Sequence, residues 1–306
     1  MRWPLGGLTT YSQTETDDVP LSLLPFQGKL VAGIGASLRI YDIGRKKLLR
    51  KAETKVRHKL FSVLTLNLTP PQMLMTAITS LTTQGSRIIV GDGQQSLFYC
   101  VYKAPENRLL VFADDTQQRW TTAQVMLDYN TVCAADKFGN VFVNRISEHV
   151  SNLIDEDPTG AGLLHEKSMF MGAAHKSTTL SHFHVGDIIT SLHRSALVPG
   201  GREVIVYFGL HGTIGMLVPF ISKEDVDFFT TLEQHMRSEN LSLVGRDMLS
   251  YRGYYVPVKA VVDGDLCEFF ARLPPGRQAN VAGELDRTVG EVLKKLEMVR
   301  VNASGF

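Results

Sequence analysis

Three cysteines, Cys100, Cys133 and Cys267, are all that this 306-residue chain contains. They are odd in number, far apart and match no zinc or redox spacing, so a disulfide framework and a Cys-x-x-Cys metal site are both excluded. That usage fits a reducing compartment, and Cys133, inside a strand-like run, is expected to pack as a small hydrophobe. Long apolar runs are missing too. No stretch approaches the ~20 residues that a membrane helix needs, and Met1-Arg-Trp-Pro-Leu-Gly6 lacks the apolar core of a signal peptide. Neither charge sign is in surplus: 32 Lys and Arg face 31 Asp and Glu, for a net charge of +1. A nucleic-acid binder usually carries a basic excess. The densest basic stretch, Arg45-Lys-Lys-Leu-Leu-Arg-Lys51, reads as a solvated strand face. No phosphate-binding GxxxxGK[ST], no HExxH and no GxSxG occurs. Gly33-Ile-Gly35 begins like a dinucleotide loop, but it lacks the third glycine and leads into a strand. No cofactor is expected.

What the chain does have is a repeated hairpin. Apolar residues make up 44% of it, enough for a core, and charged residues 21%, too few for wholesale disorder. A β-rich run, a turn and a second β-rich run recur at Val31–Tyr41, Ile88–Tyr99, Val132–Val143 and Val204–Leu217. The turns carry Gly35, Gly91-Asp92-Gly93, Asp136-Lys-Phe-Gly-Asn140, and Gly209 or Gly212, which supply the backbone that tight hairpins need. The second strands begin near Leu38, Leu97, Val141 and Ile214, at intervals of 59, 44 and 73 residues. A four-stranded propeller blade takes ~40–45 residues, so the middle interval fits directly and the other two require inserts. One insert lies near 60–74, where Pro70-Pro71 rules out a central strand. The other spans about 149–178, rich in turn formers and charge, and is expected to be an exposed loop with a short helix.

After Pro219 the periodicity becomes helical. Ser222-Lys-Glu-Asp225 reads as a capping box opening a helix to about Arg237, with Val226, Phe229, Leu232 and Met236 on one stripe. Tyr251–Val262 reads as extended. Gly264–Arg272 reads as a helix stopped by Pro274-Pro275, and a last helix runs over Val289–Val301. The organisation expected is an ill-defined segment 1–24, partial propeller blades over 25–220, and a C-terminal helical domain over 221–306. The fold class is mainly β with an α-helical tail: an incomplete, WD-repeat-like β-propeller of about three to four blades. Closed propellers have typically 4–8 blades, so this set leaves open edges that require completion.

Residues with chemical potential are few. His182 and His184 would face one way on a strand, but no third ligand is evident, and a strand pair without metal is the expectation. Asp155-Glu156-Asp157 lacks the spacing of a calcium loop and reads as solvated. Asp114-Asp115 reads as a turn. No local motif pairs a nucleophile with a base, so catalysis is not supported.

Several segments together carry a family resemblance. Leu38–Lys51, Phe112-Ala-Asp-Asp115 with Arg119-Trp120, Ala135-Asp-Lys-Phe-Gly-Asn140 and Asp155-Glu-Asp-Pro-Thr-Gly160 are among them. So are Leu217-Val-Pro-Phe220, Gly245-Arg-Asp247, Pro257-Val-Lys259, Asp263-Gly-Asp-Leu-Cys267 and Glu284-Leu-Asp-Arg287. They resemble the last propeller of the large propeller subunit of splicing factor 3b. More distant relatives are the large subunits of damaged-DNA-binding protein and of the cleavage and polyadenylation specificity factor. The resemblance covers nearly all of the chain from about residue 25. It implies three seven-bladed propellers with a C-terminal helical domain, and a nuclear, non-catalytic scaffold in pre-mRNA splicing. It also implies association with the HEAT-repeat subunit and a small helical subunit of that complex, and indirectly with snRNA and pre-mRNA. The chain departs from the family in lacking the upstream propellers and in carrying the Leu60–Leu74 insert. Leu266, Phe269 and Phe270 on the Gly264–Arg272 helix are the candidate partner-docking residues; the bland alternative is that they pack against the chain's own fold. Alternative readings are a nucleic-acid-binding module of the damaged-DNA or cleavage-factor type, an enzyme on a propeller scaffold, and a non-functional truncated gene product.

Overall fold

The hairpins form where glycine turns separate β-branched and apolar runs. A computed structural model describes residues 13–55, 75–160, 162, 173–239 and 258–304. In it Lys29–Ile34 (β2) pairs antiparallel with Ser37–Ile43 (β3), Arg87–Asp92 (β6) with Ser96–Lys103 (β7), and Glu203–Gly209 (β15) with Ile214–Leu217 (β16). Thr131–Asp136 (β10) and Asn140–Arg145 (β11) make the remaining hairpin. Flanking strands are Pro20–Phe26 (β1), Leu48–Lys55 (β4), Ile78–Gln84 (β5), Arg108–Asp114 (β8), Thr121–Met126 (β9), His175–Lys176 (β12), Thr178–His184 (β13) and Ile189–Ala196 (β14).

Four small sheets result among the described residues. Their orders are β1-β2-β3-β4, then β5-β6-β7-β8 with β12 added outside β8, then β9-β10-β11-β13, and β14-β15-β16. We refer to them as blades 1 to 4. The mainly-β class and its helical tail are thus as the sequence indicates. Blade 1 starts at Pro20, five residues before the expected boundary. The chain separates into two compact units, one of residues 1–132 with 145–178, the other of 133–144 with 179–306.

In the first unit, blades 1 and 2 share one core of Val31, Leu38, Ile40, Ile78, Ile88, Val90, Phe98 and Cys100 among others. β6 and β7 are buried along their whole length, as central strands covered on both faces should be. Blades can stack this closely because glycine sits on the second strand. A Cβ on Gly33 would overlap Ile78 of the next blade, and one on Gly91 would come to 2.9 Å from Thr121 Oγ1 of β9. Ser22 Oγ donates across the same seam to Ile78 O at 3.2 Å. Gly33→Ala therefore overpacks the seam and costs about 1–3 kcal/mol, read as a lowered urea midpoint. An unchanged midpoint would show that the seam yields.

A second repeat signal emerges from the register. The first strands of blades 1, 2 and 4 are each irregular one residue in, between Pro20 and Ser22, Ile78 and Ser80, and Ile189 and Ser191. The sequences are Pro-Leu-Ser-Leu, Ile-Thr-Ser-Leu and Ile-Thr-Ser-Leu. Thr79 and Thr190 each donate to a carbonyl of the neighbouring strand, Gly91 O at 3.1 Å and Phe208 O at 3.0 Å. The bulge is thus a repeated feature, and it bends each blade at the same place.

The 149–178 insert departs from the expected exposed loop. Glu148–Glu156 is a helix (α1) whose Ser151 and Ile154 are buried. The chain then returns along the outer strand of blade 2: β12 pairs in parallel with β8, His175 with Ala113 and Lys176 with Asp114. That covers an edge that would otherwise be open.

The helical part comprises Lys223–Glu239 (α2), Gly264–Glu268 (α3) with a tight 3-10 turn over Phe269–Arg272, Pro275–Glu284 (α4) and Val289–Ser304 (α5). The sequence expectation has no helix over Pro275–Glu284. Pro274-Pro275 does end the preceding helix, but Pro275 is also the first residue of α4, a position that suits a residue without an N–H. Phe229, Leu232 and Met236 are buried as the stripe requires, whereas Val226 is exposed. Ser222 Oγ accepts from the Glu224 amide at 3.2 Å, but Asp225 pairs with Lys295 at 2.5 Å. A reciprocal capping box forms instead at α5, where the Thr288 amide donates to Glu291 Oε2 at 2.8 Å and the Glu291 amide donates to Thr288 Oγ1 at 3.3 Å. The 60–74 insert, Gly245-Arg-Asp247 and most of the Tyr251–Val262 stretch lie outside the described residues.

Candidate interaction surface

Blades 2, 3 and 4 each tie the turn between their second and third strands, in blade 4 its last two, with a carboxylate. In blade 2, Asp92 Oδ1 accepts from the Gln94 and Gln95 amides at 2.8 and 2.9 Å. Its Oδ2 accepts from Thr76 and Ala77 on the entering segment at 2.5 and 3.1 Å. In blade 3, Asp136 Oδ1 accepts from the Phe138 and Asn140 amides at 2.8 and 3.0 Å. In blades 1 and 4 the nearby carboxylate stands on the entering segment instead, and in blade 1 Asp18 accepts from the Val19 amide rather than from the turn. A glycine, Gly35 or Gly209, occupies the turn, and a Cβ there would overlap Asp18 or Asp187 on the entering segment. Asp187 accepts from the His211 amide at 3.2 Å and contacts its Nδ1 at 2.6 Å. The signal is present in the sequence as Asp92 and Asp136, each ending the second strand of its hairpin sheet, with Gly209 at the place in blade 4 that Asp92 holds in blade 2.

Asp187 illustrates the electrostatics. Removal from water pushes its carboxyl up, but the Thr213 hydroxyl and the His211 ring and amide outweigh that and hold it at about 2. Its ordinary value is ~3.9. The folded value is lower, so the tie is intact above about pH 4 and is lost as pH falls toward 2. The His211 amide is therefore expected to stay protected from exchange at pH 5 and to lose protection near pH 2. A carboxyl titration midpoint close to 4, followed by NMR, would contradict this.

Asp114 and Asp115 do not form the expected turn: Asp114 is the last residue of β8, and both are buried. Asp115 pairs with Arg119 at 2.6 Å and receives Ser96 Oγ at 2.5 Å, and Asp114 pairs with Lys176 at 2.7 Å. Burial pushes the Asp114 carboxyl above its ordinary value, and Lys176 opposes the rise. Burial likewise pushes up the neighbouring Tyr99 hydroxyl and all three thiols, Cys133 to about 12. Groups held in these states pack and bind internally; they do not act as nucleophiles at neutral pH.

Asp155 is likewise bound. Arg87, 1% exposed, reaches Asn130 Oδ1 at 2.6 Å, Ser151 Oγ at 2.7 Å, and Asp155 Oδ2 at 3.2 Å, and lies 4.0 Å from the Tyr129 ring. Lys103 Nζ caps the C-terminal end of α1 at Ile154 O, 2.6 Å away. The helix is thus clamped to blade 2 by two buried cations. Asp157 accepts from the amides of Thr159, Gly160 and Gly162, shaping a turn. His182 is buried, its backbone bonded both ways to Lys259, while His184 Nδ1 meets Asn140 Oδ1 at 3.0 Å. Among the described residues no cluster of metal-ligating side chains forms. The basic stretch lies at the exposed start of β4, with Arg50 on Glu53 and Lys51 near Asp42.

What faces outward is apolar at a few places. On β1, Leu21 and Leu23 are 51% and 61% exposed while Phe26 is buried. On β16, Ile214 and Met216 are 72% and 49% exposed. Trp120, Phe138 and Leu210 lie exposed at loop tips. The candidate docking trio separates: Leu266 and Phe270 are buried in a helical core with Phe229, Leu232, Met236 and Val292, and only Phe269 is partly exposed, with Arg272 over its ring at 4.9 Å. The partners of the two buried residues are helices, not blades.

Consecutive small antiparallel sheets with internally tied turns, followed by packed helices, define a propeller-type scaffold with a helical tail. The chain belongs to the CPSF A subunit region family, whose pattern matches residues 6–272. It is 56% identical over 96% of its length to pre-mRNA-splicing factor RSE1 of Mycosarcoma maydis. It is 48% identical over 94% of its length to splicing factor 3B subunit 3 of Danio rerio, and 48% over 97% to pre-mRNA-splicing factor prp12 of Schizosaccharomyces pombe. These matches carry the resemblance read from the sequence motifs. The chain spans 22–23% of the length of these relatives.

Proposed function

We propose that the chain is the C-terminal quarter of a large propeller subunit that acts as a non-catalytic scaffold in pre-mRNA splicing. The observation that carries this is identity of 48–56% to proteins named as splicing factors across 94–97% of the chain. The geometry suits the role. The buried charges are consumed in tying turns and clamping α1, which leaves rigid surfaces rather than a reactive cleft. The apolar face of β1, with Leu21 and Leu23, fits a preceding blade of a seven-bladed propeller. The helical part, with Phe269 at its surface, fits a docking platform for the HEAT-repeat or the small helical subunit of splicing factor 3b. The working compartment is the nucleus, and contact with snRNA and pre-mRNA is indirect.

The test is affinity purification of the tagged, upstream-extended protein from nuclear extract. Splicing factor 3b subunits are expected in stoichiometric amounts. A parallel measurement of RNA binding against salt separates the nucleic-acid reading: tight binding whose affinity falls steeply with salt would favour it over a scaffold role.

A further inference from the structure

Where β5 meets β9, wholly inside the first unit, the packing is polar and unfinished. Ser80 Oγ, Thr82 Oγ1 and Gln124 Oε1 are shielded from solvent and find no hydrogen-bond partner among the described residues. Gln124 is more than nine-tenths buried, and its Nε2 donates to Ile89 O at 2.9 Å. That bond fixes which end of the amide is the oxygen, since a flipped amide would set two acceptors against each other. Gly91 lies between the unpaired groups. A Cβ there would fall on Ser80 Oγ, and would stand 2.9 Å from Thr121 Oγ1 and 3.3 Å from Gln124 Oε1. Ser80 and Gln124 thus face each other across bare backbone. Thr82 follows two residues along the same face of β5, opposite Ile89. Folded proteins leave very few buried polar atoms without a bond, so three on one face point to a ligand.

The seam between blades 1 and 2 shows how the same position is satisfied elsewhere. Ser22 holds in blade 1 the place of Ser80 in blade 2: each is paired with the glycine of the second strand, Gly33 or Gly91. Ser22 Oγ donates directly to Ile78 O, on the first residue of β5. The corresponding acceptor for Ser80 is Thr121 O, on the first residue of β9. Thr79 Oγ1 takes that carbonyl instead, at 3.0 Å. The Thr121 hydroxyl is also committed, donating to Asp92 O at 2.7 Å. We propose that a buried water molecule bridges Ser80 Oγ to Gln124 Oε1, with Thr82 Oγ1 as the next polar atom along its site. Two hydrogen bonds of ~2.8 Å reach between oxygens on either side of a glycine. Water suits the donor set: it donates to Gln124 Oε1, which can only accept, and bonds either way with a serine or threonine hydroxyl. A buried water typically makes about three such bonds. Glycine at 91 leaves the room that a side chain would fill. The serine bonded directly in one seam is thus bonded through water in the next.

Two measurements on the upstream-extended protein test this. A crystal structure at a resolution that shows other buried waters is expected to show density ~2.6–3.2 Å from both Ser80 Oγ and Gln124 Oε1. Hydrogen exchange of peptides from β5 and β9 is then compared between the unsubstituted protein and Ser80→Ala. A bridged hydroxyl holds the seam, and its loss strips the water of a partner and leaves Gln124 Oε1 poorly paired. Protection of those peptides is therefore expected to fall about fivefold. A dry, unbonded hydroxyl has the opposite sign: removing it relieves a cost, so protection would rise, and that result overturns the proposal. So does a structure in which Ser80 Oγ and Gln124 Oε1 bond directly to protein groups with no water between them. Neither readout depends on partner recovery, so failure here leaves the scaffold reading untouched.

Discussion

Arg87→Met is expected to lower the stability of the first unit by about 3–5 kcal/mol, because it removes one side of a buried ionic and hydrogen-bonded cluster. The guanidinium is 1% exposed and serves Asn130, Ser151 and Asp155 at once, with the Tyr129 ring 4.0 Å away. Methionine fills similar length but donates nothing. Ser151 then loses a donor in a dry site, at about 1–3 kcal/mol, while half-buried Asn130 turns partly to water and adds less. Asp155, more than a third exposed, can return to water and adds little. The consequence is local as well as global: α1 loses one of its two cationic clamps, and proteolysis should cut first near 148–160. Asp155→Asn is the control and should cost under about 1 kcal/mol. A cost below 1 kcal/mol for Arg87→Met would show that α1 is held by apolar packing alone.

The second large effect separates two adjacent aromatics. Phe270→Ala empties a fully buried site among Phe229, Leu232 and Val292 and should cost about 3–5 kcal/mol, unfolding the helical core at mild denaturant. Phe269→Ala, at a position 37% exposed, should cost less than about 1 kcal/mol in the isolated chain. If Phe269 is a docking residue, its substitution weakens partner recovery while leaving the melting curve in place. Equal stability losses at the two positions would contradict the packing described here.

The hairpins and the helical tail were legible because their signals are local. Glycine turns between β-branched runs, and apolar residues three and four apart on α2, need no knowledge of the rest of the fold. The insert at 149–178 was misjudged for the opposite reason. Its charge and turn formers look solvated, yet Ser151 and Asp155 meet Arg87 from 64 and 68 residues away in sequence. Asp114 and Asp115 read as a turn because two adjacent carboxylates look local, yet their partners Lys176 and Arg119 come from a returning strand and the following loop. Pro275 is both the stop of one helix and the start of the next, and a Pro-Pro pair in the sequence signals only the stop. The docking trio shows the limit of composition: three apolar residues in five look alike in sequence, but helical phase buries Leu266 and Phe270 and turns Phe269 outward.

The central claim, a propeller scaffold of the splicing machinery, is tested most directly by immunoprecipitation of the tagged, upstream-extended protein from nuclear extract, with blotting for the HEAT-repeat subunit of splicing factor 3b. The account predicts co-recovery that persists after nuclease treatment and at moderate salt, as a protein–protein contact should. Absence of that subunit from a well-expressed, folded bait, or its loss on nuclease treatment, would contradict the account.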